Sequence, residues 1–156
     1  LAGPTDALVE FESRKLTPEW DAYISQLNSL TDPNGFSVTA GTTLVRYNLD
    51  KWHQPIAQSW QFKVKDPYAF ISAFAKLMSV FGDKSGYVSV GQTTHGVENG
   101  ESHYIYATYP DLNTALDFGN FENEEEQNAA MEWGAAVGKL SESTRTITRV
   151  MMQSWE

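Results

Sequence analysis

The sequence predicts an α+β fold, an antiparallel sheet made of repeated strand–helix–strand (βαβ) units with the helices on one face. Three observations predict it. Short segments recur in order: AYIS (22–25) returns as AFIS (69–72), and GFSVTAGTT (35–43) returns as GYVSVGQTT (86–94), the mark of a duplicated structural unit. Within each copy the apolar spacing switches between two, the period of a strand, and 3.6, the period of a helix. No Gly-, Ser- or Pro-rich stretch separates the copies, so the 156 residues read as one domain with units at 5–50, 57–96 and 102–155.

The elements follow in order. ALVEFES (7–13) reads as a strand, with Val9 and Phe11 alternating. Thr17 is placed to cap a helix with Pro18 at its first position, and Trp20, Tyr23, Ile24 and Leu27 share one helical face. DPNG (32–35) ends that helix, and a strand runs from Phe36 to about Tyr47. In the second unit Trp60, Phe62 and Val64 alternate with Ser59, Gln61 and Lys63, a half-buried strand. Asp66 and Pro67 repeat the cap-and-proline start, and Phe70, Phe74, Leu77 and Phe81 form the buried stripe of the helix. The third unit begins with HYIYATY (103–109) as a strand. A helix starts at Pro110-Asp111, with Leu112, Leu116 and Phe121 early in it and Ala130, Trp133, Val137 and Leu140 later. TRTITRVMMQSW (144–155) closes as the last of six strands.

Composition excludes whole classes of function. Apolar residues make up 41% and aromatic residues 13%, enough for a packed core and too much for a disordered chain. There is no cysteine, so disulfides, thiolate metal sites, iron–sulfur clusters and cysteine nucleophiles are excluded. A net charge of −9 disfavours nucleic acid and anionic lipid as partners. No apolar run approaches the roughly 20 residues that span a bilayer, so no membrane is expected. The acidic run ENEEE (122–126) reads as a helix start, where carboxylates oppose the helix dipole, not as a metal site. The chain opens on Leu1 instead of Met. That reads as a trimmed start or a removed signal peptide, and it leaves cytoplasmic and periplasmic or secreted locations open.

The helix starts DPYAF (66–70) and YPDLNTAL (109–116), with the strand hairpin from Gly86 to Tyr109, carry a resemblance. Between residues 57 and 155 the pattern resembles the ferredoxin-like, dimeric α+β-barrel superfamily, which includes antibiotic-biosynthesis monooxygenases and stress-responsive barrel proteins. The first 50 residues add a further half-unit. The resemblance implies a sheet closed against a second subunit, and activities that range from cofactor-independent oxidation through haem breakdown to ligand binding alone. Haem-handling members would require a ligating histidine, usually from a helix. His53 sits in a loop and His95 and His103 on the hairpin, so no haem and no other cofactor is expected.

The hairpin itself is read from TTHGVENGESHYIYATYP (93–110). Asn99-Gly100 signals a two-residue turn, because both central positions of such a turn need positive φ. Glu98 then pairs with Glu101, and His95 opposes Tyr104. One face carries Tyr87, Ser89, Thr93, His95, Tyr104, Tyr106 and Thr108; the other carries Val88, Val90, His103, Ile105, Ala107 and Tyr109. His95 and His103 point to opposite sides and cannot share a metal, so no metal site is expected. His95, Tyr104 and Tyr106 are the candidate catalytic group, an imidazole beside two phenols; the plainer reading is a hydrogen-bonded interface patch.

Trp60, Phe62, Phe70, Phe74 and Trp133 read as core, or as the lining of an apolar ligand cavity between sheet and helices. Of these, Trp60, Phe62, Phe74 and Trp133, together with Arg149, form the candidate ligand-binding set. Arg145 and Arg149 share one face of the last strand, where they pair with acids at an interface or hold an anionic ligand. No nucleophile elbow, phosphate loop, dinucleotide motif or glycosidase-like carboxylate pair is present. Two functions stand side by side. One is a small-molecule-binding α+β-barrel protein, extending to a cofactor-independent monooxygenase acting on an aromatic or polyketide-like substrate. The other is a non-catalytic oligomerising domain. So aromatic a sheet face seeks cover, and both expect a homo-oligomer, a dimer foremost, or the first half-unit folded over that face to the same end.

Overall fold

A computed structural model describes residues 9–10, 12–13, 15–30, 39–82, 86–97, 99–117 and 120–151. The chain falls into two compact units, residues 1–38 and 39–156.

The first unit contains helix α1, Pro18–Leu30. Thr17 caps it as expected, its hydroxyl accepting from Trp20 N at 3.2 Å. Ahead of it the described residues of the expected strand (9, 10, 12 and 13) do not form one. Val9, Glu10, Glu12 and Ser13 are helical, Ser13 Oγ bonds to Glu10 O at 2.6 Å, and Lys15 N bonds to Glu12 O at 3.1 Å. Two alternating apolar residues are too few to fix a strand in the absence of a partner strand.

The second unit is α+β. A single sheet of five antiparallel strands has the order β1-β3-β4-β2-β5, with β1 at Ala40–Tyr47, β2 at Ile56–Val64, β3 at Val88–His95, β4 at His103–Tyr109 and β5 at Ser141–Val150. Helix α2 (Pro67–Phe81) joins β2 to β3, and α3 (Leu112–Leu116) and α4 (Glu124–Leu140) join β4 to β5. Each pair of joined strands has another strand between them, an order compatible with a ferredoxin-like fold. Among the described residues there are five strands, not six.

Local chemistry explains each helix start. Asp66 Oδ1 accepts from Ala69 N at 3.0 Å, with Pro67 at the first helical position. Asp111 Oδ1 accepts from Thr114 N at 2.8 Å. Asn123 Oδ1 accepts from Glu126 N at 2.9 Å, while Glu126 Oε2 accepts from Glu122 N at 3.0 Å, a reciprocal box that explains why this one member of the acidic run is buried. The same cap splits the helix expected after Pro110 into α3 and α4: Asp117 leaves helical geometry at φ −82°, ψ 70°, and the chain restarts at Asn123.

Phe70, Phe74 and Met78 of α2 form the core with Phe62, Val88, Val90, Ile105 and Ala107, and Trp60, Trp133 and Val137 pack against it. On the sheet these residues all belong to the face that carries Trp60, Phe62, Val88, Val90, Ile105 and Ala107. His103 lies in this layer too, buried, with its ring 6.2 Å from Phe70 and Nδ1 2.9 Å from Ser102 Oγ. Burial disfavours the imidazolium and holds its pKa below the ordinary value. The unfolded chain therefore takes up a proton at His103 before the folded protein does. The stability that depends on neutral His103 is fully present above about pH 6.5, the unperturbed value, and declines as pH falls below it. The shifted carboxylates act lower: Glu101 is held down to about 2 by the backbone N–H groups of Asn99 and Glu101, and Asp111 is lowered mainly by Thr114 N–H. Thermal melts should accordingly show a lower Tm at pH 5 than at pH 7, and His103→Leu should flatten that difference. An equally steep pH dependence in the variant would assign it to other groups.

Candidate functional site

The opposite face of the sheet has a different character. Reading across β1-β3-β4-β2-β5, one row holds Arg46, Ser89, Tyr106, Ser59 and Ile147, and the next holds Thr43, Gly91, Tyr104, Gln61 and Arg145. Ala57 and Arg149 pair beside the first row, and Lys63 and Glu142 pair beyond the second. Four cations on these strands face one carboxylate, Glu142, whose Oε1 is 3.7 Å from Lys63 Nζ. In a chain of net charge −9 this is a local reversal of sign.

The hairpin partition into two faces is observed, but its register is not the expected one. Gly91, not His95, opposes Tyr104, a shift of four residues, and Thr93 N bonds to Ser102 O at 2.9 Å. A wide loop, from His95 to His103, replaces the two-residue turn. Gly96 and Gly100 adopt positive φ, whereas Asn99 does not. Glu101 is the reason: its carboxylate accepts from Asn99 N at 2.8 Å and from Asn99 Nδ2 at 3.1 Å, fixing the loop in another shape. Glu98 lies outside the described residues. Because four is an even number, the paired residues of β3 and β4 keep their expected faces, but a bulge between Thr93 and His95, opposite Gly41 and Ala40, interrupts the alternation at the end of β3.

The shift separates the candidate catalytic group. His95 is exposed at the end of β3, with Nδ1 3.0 Å from Thr94 Oγ1, and it stands four residues, about 13 Å of strand, from the position opposite Tyr104. Tyr104 and Tyr106 remain together on β4. Tyr106 stands edge-on to Tyr87 at 6.1 Å between ring centres. Burial raises the Tyr106 pKa, and the charge of Arg149 opposes the rise. Tyr104 leans over β3 so that its hydroxyl lies 3.0 Å from Thr43 Oγ1. Gly91 permits this, since a Cβ there would sit 2.1 Å from Tyr104 Cζ.

The candidate ligand-binding set is divided between the two faces. Phe62 and Phe74 are core, joined to Trp133 through aromatic contacts: ring centres are 5.3 Å apart for Phe62–Phe70, Phe70–Trp133 and Phe74–Trp133. Trp60 packs against the same cluster. Trp133 also edges an open groove of about 780 Å³ between α2 and α4, with Lys76, Glu125 and Glu132 on its rim. Arg149 is on the other side of the sheet, near Tyr106. His53 lies tilted against Trp52, with ring centres 4.1 Å apart, both exposed. Among the described residues no three His, Asp or Glu side chains converge as metal ligands, and no helix is long and apolar enough to cross a membrane.

Gln61 is the residue that sequence reasoning passed over. It is 7% exposed, its Nε2 bonds to Ser59 Oγ at 3.0 Å, and its Oε1 is buried without a hydrogen-bond partner. Thr93 Oγ1 on the same face is also buried and unpartnered. The alternation of β2 marked Gln61 as outward-facing, and glycine inside a strand is a known sign of close approach at Gly91; only the cross-strand rows join these to Arg46 and Tyr104. No family model matches this chain, and neither the curated proteins nor the solved structures yield a match.

Proposed function

We propose that this chain is a small-molecule-binding protein of the dimeric α+β-barrel kind, with its ligand on the polar-aromatic face of the sheet. The observation that supports this is the gathering there of Arg46, Arg145 and Arg149, three of the four arginines in an acidic chain, beside Tyr87, Tyr104 and Tyr106. A face that served only to bury an interface between copies would gain nothing from this charge. A second copy closing a barrel over it would set arginines against arginines, which opposes association. Dimerisation over this face therefore belongs with a bound anion between the copies. Tyr104 and Tyr106 are available to a cofactor-independent oxidation on this face, and His95 is too distant to serve them as a base.

The test is a screen of acidic and neutral fragments by backbone amide chemical shifts. Shifts concentrated at Ser59, Gln61, Ser89 and Tyr106 are expected. A panel that moves no residue of this face, or moves only the groove between α2 and α4, overturns the reading.

A further inference from the structure

We infer that the ligand is a planar aromatic carboxylate that also carries a hydroxyl, lying over β2 with its carboxylate on Arg149 and its hydroxyl on Gln61. The inference rests on the binding reading above and adds the chemical class of the ligand.

The shape comes from the sequence of β2. On this face β2 presents Ala57, Ser59 and Gln61, while its neighbours present the longer Tyr104 and Tyr106 on β4 and Arg145, Ile147 and Arg149 on β5. Strands lie about 4.8 Å apart, so the flanking backbones stand about 10 Å from each other. The result is a trough one ring wide, floored by Ala57 and Ser59 and closed at one end by Gln61. Tyr106, braced by Tyr87, supplies an aromatic wall on one side, and Ile147 an aliphatic wall on the other.

Chemistry at the two ends sets the ligand class. At one end Gln61 holds a buried carbonyl oxygen with no donor, an arrangement that costs stability unless a partner is supplied. Tyr104, its neighbour across the strands, is turned away over Gly91 to Thr43 and does not serve it. A ligand hydroxyl does. At the other end, no carboxylate among the described residues is paired with Arg149. Its planar guanidinium matches a carboxylate with two parallel hydrogen bonds. Arg145 is the weaker candidate because it already lies in the field of Glu101. The two rows are four residues apart, about 13 Å along the strand, and the long arginine side chain shortens that span to one para-substituted ring.

The test is calorimetric titration of the full chain with 4-hydroxybenzoate, benzoate and the neutral 4-hydroxybenzamide. The hydroxy acid is expected to bind at least tenfold more tightly than the amide. Arg149→Gln should erase that preference and leave the amide unaffected; Gln61→Leu, of similar volume, should erase the preference for 4-hydroxybenzoate over benzoate. Tm values near that of the parent chain establish that both variants fold, and a variant that does not fold is replaced by Arg149→Met or Gln61→Met. Equal binding of acid and amide overturns the inference, as does an acid preference that survives Arg149→Gln. If the amide binds this face and neither acid does, the inference falls and the binding reading stands. If none of the three compounds and no fragment of the wider screen moves this face, both fall together.

Discussion

Phe70→Ala will destabilise the sheet-bearing unit by about 3–5 kcal/mol, the range for deleting a fully buried phenyl ring. Phe70 is 0% exposed and stands at the centre of the core, in ring contact with Phe62 and Trp133 at 5.3 Å and facing His103 at 6.2 Å. Truncation leaves a void walled by other rings, which cannot close by rotating a flexible side chain. The loss should be seen as a lower urea midpoint, read by tryptophan fluorescence, with Trp133 next to the void reporting directly. Phe70→Leu refills most of the space and should recover most of the stability. A loss below about 1 kcal/mol for the alanine variant would mean that the helix is not seated on the sheet as described.

Gly86→Ala comes next in size, at about 3 kcal/mol, the upper part of the range for forcing atoms into a packed site. A Cβ on Gly86 would lie 1.8 Å from Thr108 O and 2.4 Å from Gln54 Oε1. The first of these is backbone and cannot swing aside. The surroundings are also tied down. Thr108 Oγ1 accepts from Tyr87 N at 3.0 Å and lies 3.0 Å from Lys51 O, to which it donates. Asn48 Nδ2 donates to Gly82 O at 2.6 Å and to Gly86 O at 3.0 Å. Moving Gly86 therefore pulls β3 from β4 at the start of their pairing. The same substitution at Gly134 should have the opposite sign. A Cβ there meets nothing within 4 Å, and alanine in an exposed helix interior is favoured over glycine by about 0.8–1 kcal/mol. Equal effects at the two glycines, measured by the same unfolding assay, would contradict the packing around Gly86.

What the sequence determined by itself is what the chain settles within a few residues. Thr17, Asp66 and Asn123 start their helices because a side-chain oxygen reaches a backbone N–H three residues on. The stripe through Phe70 and Phe74 found the core because helical period alone puts those positions on one side, although Met78, outside the expected stripe, is also buried there. The two faces of β3 and β4 were legible because alternation is a property of the pleat. What only the tertiary structure decided is non-local. The register of that hairpin moved by four residues because the Glu101 carboxylate holds Asn99 in a wide loop, and with it the grouping of His95, Tyr104 and Tyr106 dissolved. Val9, Glu10, Glu12 and Ser13 became helical, and α3 and α4 separated, where no strand partner or continuous cap favoured the expected form. The binding face belongs to this second kind. Arg46, Gln61, Tyr106 and Arg149 come from four strands, and no spacing within any one strand encodes their neighbours. Only the strand order and the cross-strand registers put three arginines and a buried, unpartnered carbonyl on one side of the sheet.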